Sequence, residues 1–336
     1  MKTYETVVLH PHHGTPRTVR LTKQLGVGSS GRVYAVAGHD VLAVKICHRP
    51  DEQRTEARVD AFWAMGSTWT VNRPHGLHVA WPYAKALDPQ TRQTVGFAMP
   101  RMSPGHAQMS AVVGIRPQIP FRDPSWAQCL RTAAGLARAV AAASAQHAVV
   151  VDLRADNAFV TEAGTVTLID ADGWQVRNPA TGEVIPSQGS HGEVTAPEYL
   201  PPTPRDAVRG QESDRWALAV MIAVLLFRGV HPFAGTRPQD PKDWEEQDHV
   251  REQLCWLLRN DMQLPAGTPP VSILPPCLYR LFESCFDEGH GAPSLRPTPD
   301  QWIAQLEATL DNLTSCAADP LHVFPSTAPR CPWCAG

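Results

Sequence analysis

Three polar residues in the middle of the chain could act on one phosphoryl group. Asp152 and Asn157 stand in a D-x-x-x-x-N spacing within VVVDLRADNAFV, and Asp170 closes the apolar run of VTLIDADGW. A carboxylate can orient a hydroxyl and accept its proton, while an amide oxygen and a second carboxylate can hold Mg2+ on phosphates. Arg154, just past Asp152, sets a positive charge where a transferred phosphoryl group develops negative charge. Taken singly, Asp and Asn at strand and loop ends usually cap or turn the backbone. Upstream, LGVGSSGRVYAV (25–36) places Gly26, Gly28 and Gly31 in a G-x-G-x-x-G spacing, which lets bare N–H groups approach phosphate oxygens. VLAVKI then supplies Lys45, a flexible point charge.

The elements that carry these residues narrow the choice of cradle. A dinucleotide fold would open a helix with the glycine motif. Here RVYAVAG, the turn-like GHD and VLAVKI read as strand, hairpin and strand, so the cradle sits on a β-hairpin. DEQRTEARVDAFWAM reads as a helix carrying Glu52 and Glu56, whose default role is a solvated surface charge. Residues 1–20 form an extended or strand-like lead, and TVGFAMPRMSPG (94–105) a strand running into a Pro/Gly connection. From about residue 125 the composition turns helical, with a cap signal at Ser125 and an alanine-rich run behind it. WALAVMIAVLLF (216–227) is too short to cross a bilayer and reads as a buried core helix.

In this order the motifs resemble a eukaryotic-like bacterial protein kinase domain over roughly residues 20–310. TAPEYL is similar to the A-P-E motif, with Glu198; SDRWALAV resembles the start of the buried central helix, with Asp214 bracing the catalytic loop; LRPTPDQW supplies Arg296 as the partner of Glu198. More narrowly, LIDADGWQV, VTAPEYLPP and CPWCA resemble the kinases found with von Willebrand A-type proteins and metal-dependent phosphatases in tellurium-resistance-like triads.

The resemblance implies an α+β, bilobal fold. Residues 1–102 would form an antiparallel β-sheet lobe with one helix, 103–312 a mainly helical lobe, and 313–336 a small Cys/His tail. ATP would lie between the lobes, against Leu25, Gly26, Gly28, Gly31, Val33, Ala43, Lys45, Met99, Met102 and Phe159, with the backbone near 100–102 on adenine. Glu56, or less suitably Glu52, would hold Lys45; Asp152 would be the catalytic carboxylate; Asn157 and Asp170 would bind Mg2+ or Mn2+. The activity implied is transfer of the γ-phosphoryl of ATP to Ser/Thr hydroxyls of a partner protein, with autophosphorylation, the partners being a von Willebrand A-type protein and a cognate phosphatase. Two other classes stand beside it: a nucleotide-binding pseudokinase scaffold, and a small-molecule phosphotransferase, whose relatives generally lack the A-P-E segment and the Asp214-type helix start.

Several positions depart from the family pattern. Val150 and Val151 replace the usual His-Arg, so a phosphate on the activation segment has no local arginine to order it. Asp170-Ala171-Asp172 replaces Asp-Phe-Gly, which removes an aromatic anchor and a flexible glycine and disfavours flipping of the segment. Asp172 is either a turn residue before Gly173 or a further carboxylate at the metal. His191 stands where Ser/Thr kinases place a threonine, and DLRADN is as similar to some tyrosine kinases as to Ser/Thr kinases. Arg154 tips the reading to Ser/Thr.

With 336 residues and a net charge of −3, the chain has no electrostatic footprint for nucleic acid, and its partners are expected among proteins or small molecules. MKTYETVVLHPHHG lacks a signal-peptide pattern, so a cytoplasmic protein without a membrane span is expected. Of the eight cysteines, Cys47, Cys129, Cys255, Cys277 and Cys285 are scattered as reduced core thiols would be. The tail CAADPLHVFPSTAPRCPWC differs. Its C-x-x-C pair lacks the helix start of a redox motif, and its Pro/Ser/Ala content suits a disordered end. Against that reading, Cys316, His322, Cys331 and Cys334 form a ligand set suited to tetrahedral Zn2+, with Trp333 covering an apolar surface away from the ATP site.

Overall fold

The structure, a computed structural model, describes residues 4–28, 30–49, 53–69, 78–102, 105–113, 125–187, 192–237 and 244–334. Glu52 and His191 lie outside these residues. The chain is mixed α/β, opening with strands β1 (Thr6–Pro11), β2 (Arg17–Val27), β3 (Gly31–Val36) and β4 (His39–Cys47). Helix α1 (Gln53–Trp69) follows, then β5 (Ala84–Leu87) and β6 (Thr94–Pro100). The antiparallel sheet expected here closes on itself. The six strands run in the order β1-β2-β3-β4-β6-β5, and β1 bonds back to β5 through Val8↔Leu87 to Pro11↔Ala84, making a barrel with no free edge.

Period-two alternation divides the barrel strands between two environments. Val7, Leu9, Leu42, Val44, Ile46 and Ala98 join one buried apolar cluster. The intervening β4 residues Ala43, Lys45 and Cys47 turn to the other face, where Cys47 packs with Phe97 of β6, Val59 of α1 and the half-buried Met99. All of β4 from Leu42 to Cys47 is therefore buried, and a lysine in that run needs a charged partner.

The remainder of the chain is mainly helical. Short β7 (His106–Gln108), which precedes α2 (Trp126–Ser144), forms a three-stranded sheet with β8 (Ala158–Thr161) and β9 (Val166–Leu168), and Ser125 caps α2 by accepting from Ala127 N–H. Gly135 of α2 is required by close approach, since a Cβ there would stand 1.9 Å from Gly164 O in the β8–β9 turn. Two-residue strands β10 (Val176–Arg177) and β11 (Val184–Ile185) pair beyond β9. The apolar run becomes α3 (Gln211–Leu226), a helix buried on nearly every side. Next come α4 (Glu246–Arg251) and α5 (Pro276–Glu283), the latter continuing through a π turn into α6 (Gly289–Gly291). Helix α7 (Pro299–Asp311) is closed at its start by a Thr298/Gln301 capping box and packs on α2. A hairpin of β12 (Leu313–Ser315) and β13 (Val323–Pro325) ends the fold.

The helical and barrel regions are joined beside the site. Ala80 N–H donates to Leu168 O and Leu168 N–H to His78 O, so the segment between α1 and β5 lies parallel to β9. Phe62 of α1 meets Trp81 edge-on at 5.1 Å, and Trp81 meets Trp174 at 6.0 Å. Trp174 thereby provides an aromatic anchor close to the position that Ala171 leaves small.

Candidate active site

Lys45 is 1% exposed, and its Nζ donates to Asp170 Oδ1 at 2.7 Å and Asp172 Oδ1 at 2.8 Å. Burial works to discharge the ammonium, but the nearby carboxylates outweigh it, and the pKa is held above the ordinary lysine value. Burial, with the Asp172 charge added, pushes the neighbouring Cys47 thiol up to about 12, leaving it neutral. Ser30 of the glycine loop donates through Oγ to Asp172 Oδ2 at 3.1 Å, tying the loop to the same carboxylate.

Glu56 is not the partner of Lys45. It lies on the exposed side of α1, while Arg58, two positions on and 3% exposed, faces the site. Arg58 Nη1 donates to the carbonyls of Asp172 (3.0 Å) and Trp174 (2.7 Å), and Nη2 donates to Pro186 O. Residues two apart on a helix sit about 200° around the axis, so turning Arg58 inward turns Glu56 out. The helix thus supplies a cation that grips the segment after Asp170, and the carboxylate comes from Asp172. Sequence reasoning weighed Asp172 only as a turn or metal residue; the signal available was Arg58 standing four places before Phe62 on one helical face.

The glycines have different reasons to be glycine. A Cβ on Gly31 would stand 2.5 Å from Ile46 O, so this position is set by the approach of β3 to β4. A Cβ would meet open space at Gly26 and only Gly31 O, at 4.0 Å, at Gly28, while the Gly28 N–H is itself bonded to Gly31 O at 2.9 Å, which closes the turn between β2 and β3. Val33, Lys45 and Phe97 stand opposite one another across three strands, and Ala43 and Met99 pair two residues further along the same face. Leu25, on β2 beside the Gly26 that stands opposite Val33, is 38% exposed. Met102 and Phe159 are half-buried, the first just past β6 and the second on β8 opposite Thr167.

The loop between α2 and β8 holds the second half of the constellation. Asn157 Nδ2 donates at 3.0 Å to both Asp152 O and Asp152 Oδ2, and Arg154 Nε lies 3.5 Å from Asp152 Oδ2, an ion pair too long for a good hydrogen bond. Asn157 O accepts from Ile169 N–H, which seats this loop against the strand end that presents Asp170. Asp170 adopts the left-handed region (φ 62°, ψ 32°), and its side chain is 48% exposed, against 9% for Asp172.

Asp214, at the start of α3, braces the loop from below. Its carboxylate accepts from Val150 N–H at 2.7 Å and Val151 N–H at 3.0 Å. Val151 has φ 64° at the centre of a tight turn closed by Asp152 N–H on Val150 O, a rare conformation for a β-branched residue that costs about 1–3 kcal/mol. Elsewhere in the helical region, buried Arg296 makes a two-pronged pair with Glu198 at 2.8 and 2.7 Å and also donates to Gly289 O and Glu212 O.

At the chain's end Cys316, His322, Cys331 and Cys334 place their ligand atoms within 4.8 Å of one another. The Cys316–Cys334 sulfurs are 3.7 Å apart, and His322 Nδ1 lies 3.3 Å from Cys334 Sγ and 3.8 Å from Cys331 Sγ. Trp333 donates to Val323 O, packs on the helical core, and lies 4.5 Å under the Arg228 guanidinium.

No protein-family profile matches the chain. Two curated relatives do: proteins named protein kinase YegI from Escherichia coli strain K12, 26% identical over 336 residues, and from Escherichia coli O157:H7, 26% identical over 328 residues. The matches cover 96% and 93% of this chain but 49% and 48% of the relatives, so the chain spans about half their length. They support a relationship to bacterial protein kinases and a kinase-like function. Among the described residues, no helix is long and apolar enough to cross a membrane.

Proposed function

We propose that the chain is an ATP-dependent protein kinase with a bilobal kinase fold, in which the barrel and α1 serve as the upper lobe and the helices from α2 onward as the lower. The observation that carries this reading is the buried Lys45 ammonium held by Asp170 and Asp172 beside the Asp152–Asn157–Arg154 loop. Lys45 would meet phosphate oxygens beside the β2–β3 hairpin, whose Val33 stands opposite it in the sheet. Asp170, half exposed, and Asn157 are donors of the type Mg2+ prefers, and Mg2+ bound there would neutralise charge on the phosphates. Asp152, steadied by Asn157 Nδ2, orients the acceptor hydroxyl and takes its proton, and Arg154 balances the developing charge. The acceptor is a Ser/Thr hydroxyl of a protein, and the resemblance brings a von Willebrand A-type protein and a phosphatase as partners.

Incubation with ATP and Mg2+ followed by intact mass measurement is expected to show phosphoryl addition to the chain or to a generic protein substrate. Nucleotide bound without any transfer would favour the second reading, a pseudokinase scaffold, against which the retention of Lys45, Asp152, Asn157 and Asp170 speaks.

The tail set belongs to the same reading as a structural Zn2+ site. Zinc with three thiolates and one imidazole requires sulfur–sulfur edges of ~3.8 Å and sulfur–nitrogen edges of ~3.6 Å, from bond lengths of about 2.3 and 2.0–2.1 Å. The separations above are close to these edges. Asp319 Oδ2 lies 3.6 Å from His322 Nε2, within reach of orienting the ring, and Ala318 N–H donates to Cys316 Sγ. About one zinc per chain is expected by metal analysis, and Cys331→Ser combined with Cys334→Ser should remove it. Zinc content unaltered in that double variant would refute the site.

A further inference from the structure

We propose that Asp172 is the permanent counter-ion of Lys45, a positioning residue doing the work expected of a helix glutamate, while Asp170 is the exchangeable one. The task given to Lys45 rests on the kinase reading above; the pairing itself does not.

The two carboxylates on the ammonium are held very differently. Asp170 is 48% exposed at the edge of the site and is the carboxylate that the proposed function gives to the metal, so it can leave the lysine. Asp172 is 9% exposed, and its second oxygen is taken by Ser30 Oγ–H. Its own backbone carbonyl is gripped by Arg58, which also holds the carbonyls of Trp174 and Pro186. Arg58 is thus the bolt between α1 and the segment that carries Asp172. If Asp170 turned to a metal, Lys45 without Asp172 would be a buried ammonium with no anionic partner, an unfavourable state. Cys47 cannot substitute, because burial keeps its thiol neutral.

One consequence separates this arrangement from a lysine–helix-glutamate pair. There, displacing the helix removes the counter-ion. Here the counter-ion lies on the same short segment as Asp170 and is fastened to the helix through main-chain carbonyls. Lys45 alignment therefore depends on the Asp170–Trp174 segment, and the glycine loop is registered to it through Ser30.

The test reads Lys45 directly, without catalysis. The free protein is treated at pH 8 with an amine-selective acylating reagent, and modification of Lys45 is quantified by peptide mass mapping. Affinity for a fluorescent ATP analogue is measured in parallel. Asp172→Asn, which takes one of the two carboxylates off the ammonium, is expected to raise Lys45 acylation about tenfold, the order expected for loss of one charge-assisted hydrogen bond, and to weaken analogue binding by a similar factor. Asp172→Glu should recover most of both, and Glu56→Gln should alter neither. Faster acylation in Glu56→Gln, or no change in a folded Asp172→Asn, would overturn the proposal. Should Asp172→Asn not fold, low reactivity kept in both Asp172→Glu and Glu56→Gln supports it, and a rise in Glu56→Gln again refutes it. Failure of the parent to bind the analogue would count against the kinase reading alone, since the acylation pattern still identifies the counter-ion.

Discussion

Asp152→Asn is expected to lower phosphoryl transfer by about 10²–10⁴-fold, the usual contribution of a positioned general base, while leaving nucleotide affinity within about twofold. The substitution keeps the shape of the side chain. Asn157 Nδ2 now donates to Asp152 O and Oδ2, and an amide oxygen at 152 can accept the second of these bonds. What disappears is the negative charge that takes the hydroxyl proton and faces Arg154 at 3.5 Å. None of the contacts of Lys45, Asp170 or Ser30 runs through this side chain, so the nucleotide end of the site should be preserved. Single-turnover transfer and equilibrium titration of the same preparation separate the two quantities. Parallel loss of affinity and transfer would make Asp152 a structural residue.

Much of this site could be read from local pattern because its parts are local. The β3–β4 hairpin, the D-x-x-x-x-N loop and the tail's Cys/His set are each carried by a few neighbouring residues, and strand alternation alone sends Lys45 to the face opposite Val44. The features that escaped depend on distant pairings. Closure of the barrel joins Val8 to Leu87, and nothing in either segment specifies that partner. The partner of Lys45 turned on the phase of α1, which a polar sequence such as QRTEARVDAF leaves ambiguous: an arginine at 58 points inward only because three carbonyls from the distant 172–186 segment meet it there. Asp214 was legible in type and role, yet the strain it offsets at Val151 becomes visible only in the backbone.

That strain makes Asp214 the residue whose loss should cost the most stability. In Asp214→Ala the N–H groups of Val150 and Val151 lose their acceptor in a buried setting, at about 1–3 kcal/mol each, and Val151 is no longer held at φ 64°. The sum is a large part of the 5–15 kcal/mol typical of a domain. Asp214→Asn keeps one acceptor oxygen but turns an NH2 group toward a backbone donor, so roughly half the effect is expected. The two variants also differ from the parent in pH dependence. Burial raises the Asp214 carboxyl from 3.8 to about 6 even though both N–H bonds and the Arg209 charge favour ionisation. Between those values the folded chain binds more protons at this site than the unfolded chain. The Asp214 contribution is therefore most favourable below about pH 4, declines as pH rises to about 6, and is constant above that. Urea unfolding of parent and Asp214→Asn at intervals from pH 4 to 8 isolates the group, because all other titrations are shared. The destabilisation caused by the substitution should be largest at the acid end and smaller, though still present, at pH 7.5. A difference that is constant across the range, or that grows toward neutral pH, would mean that Asp214 titrates no higher in the folded protein than in the unfolded chain.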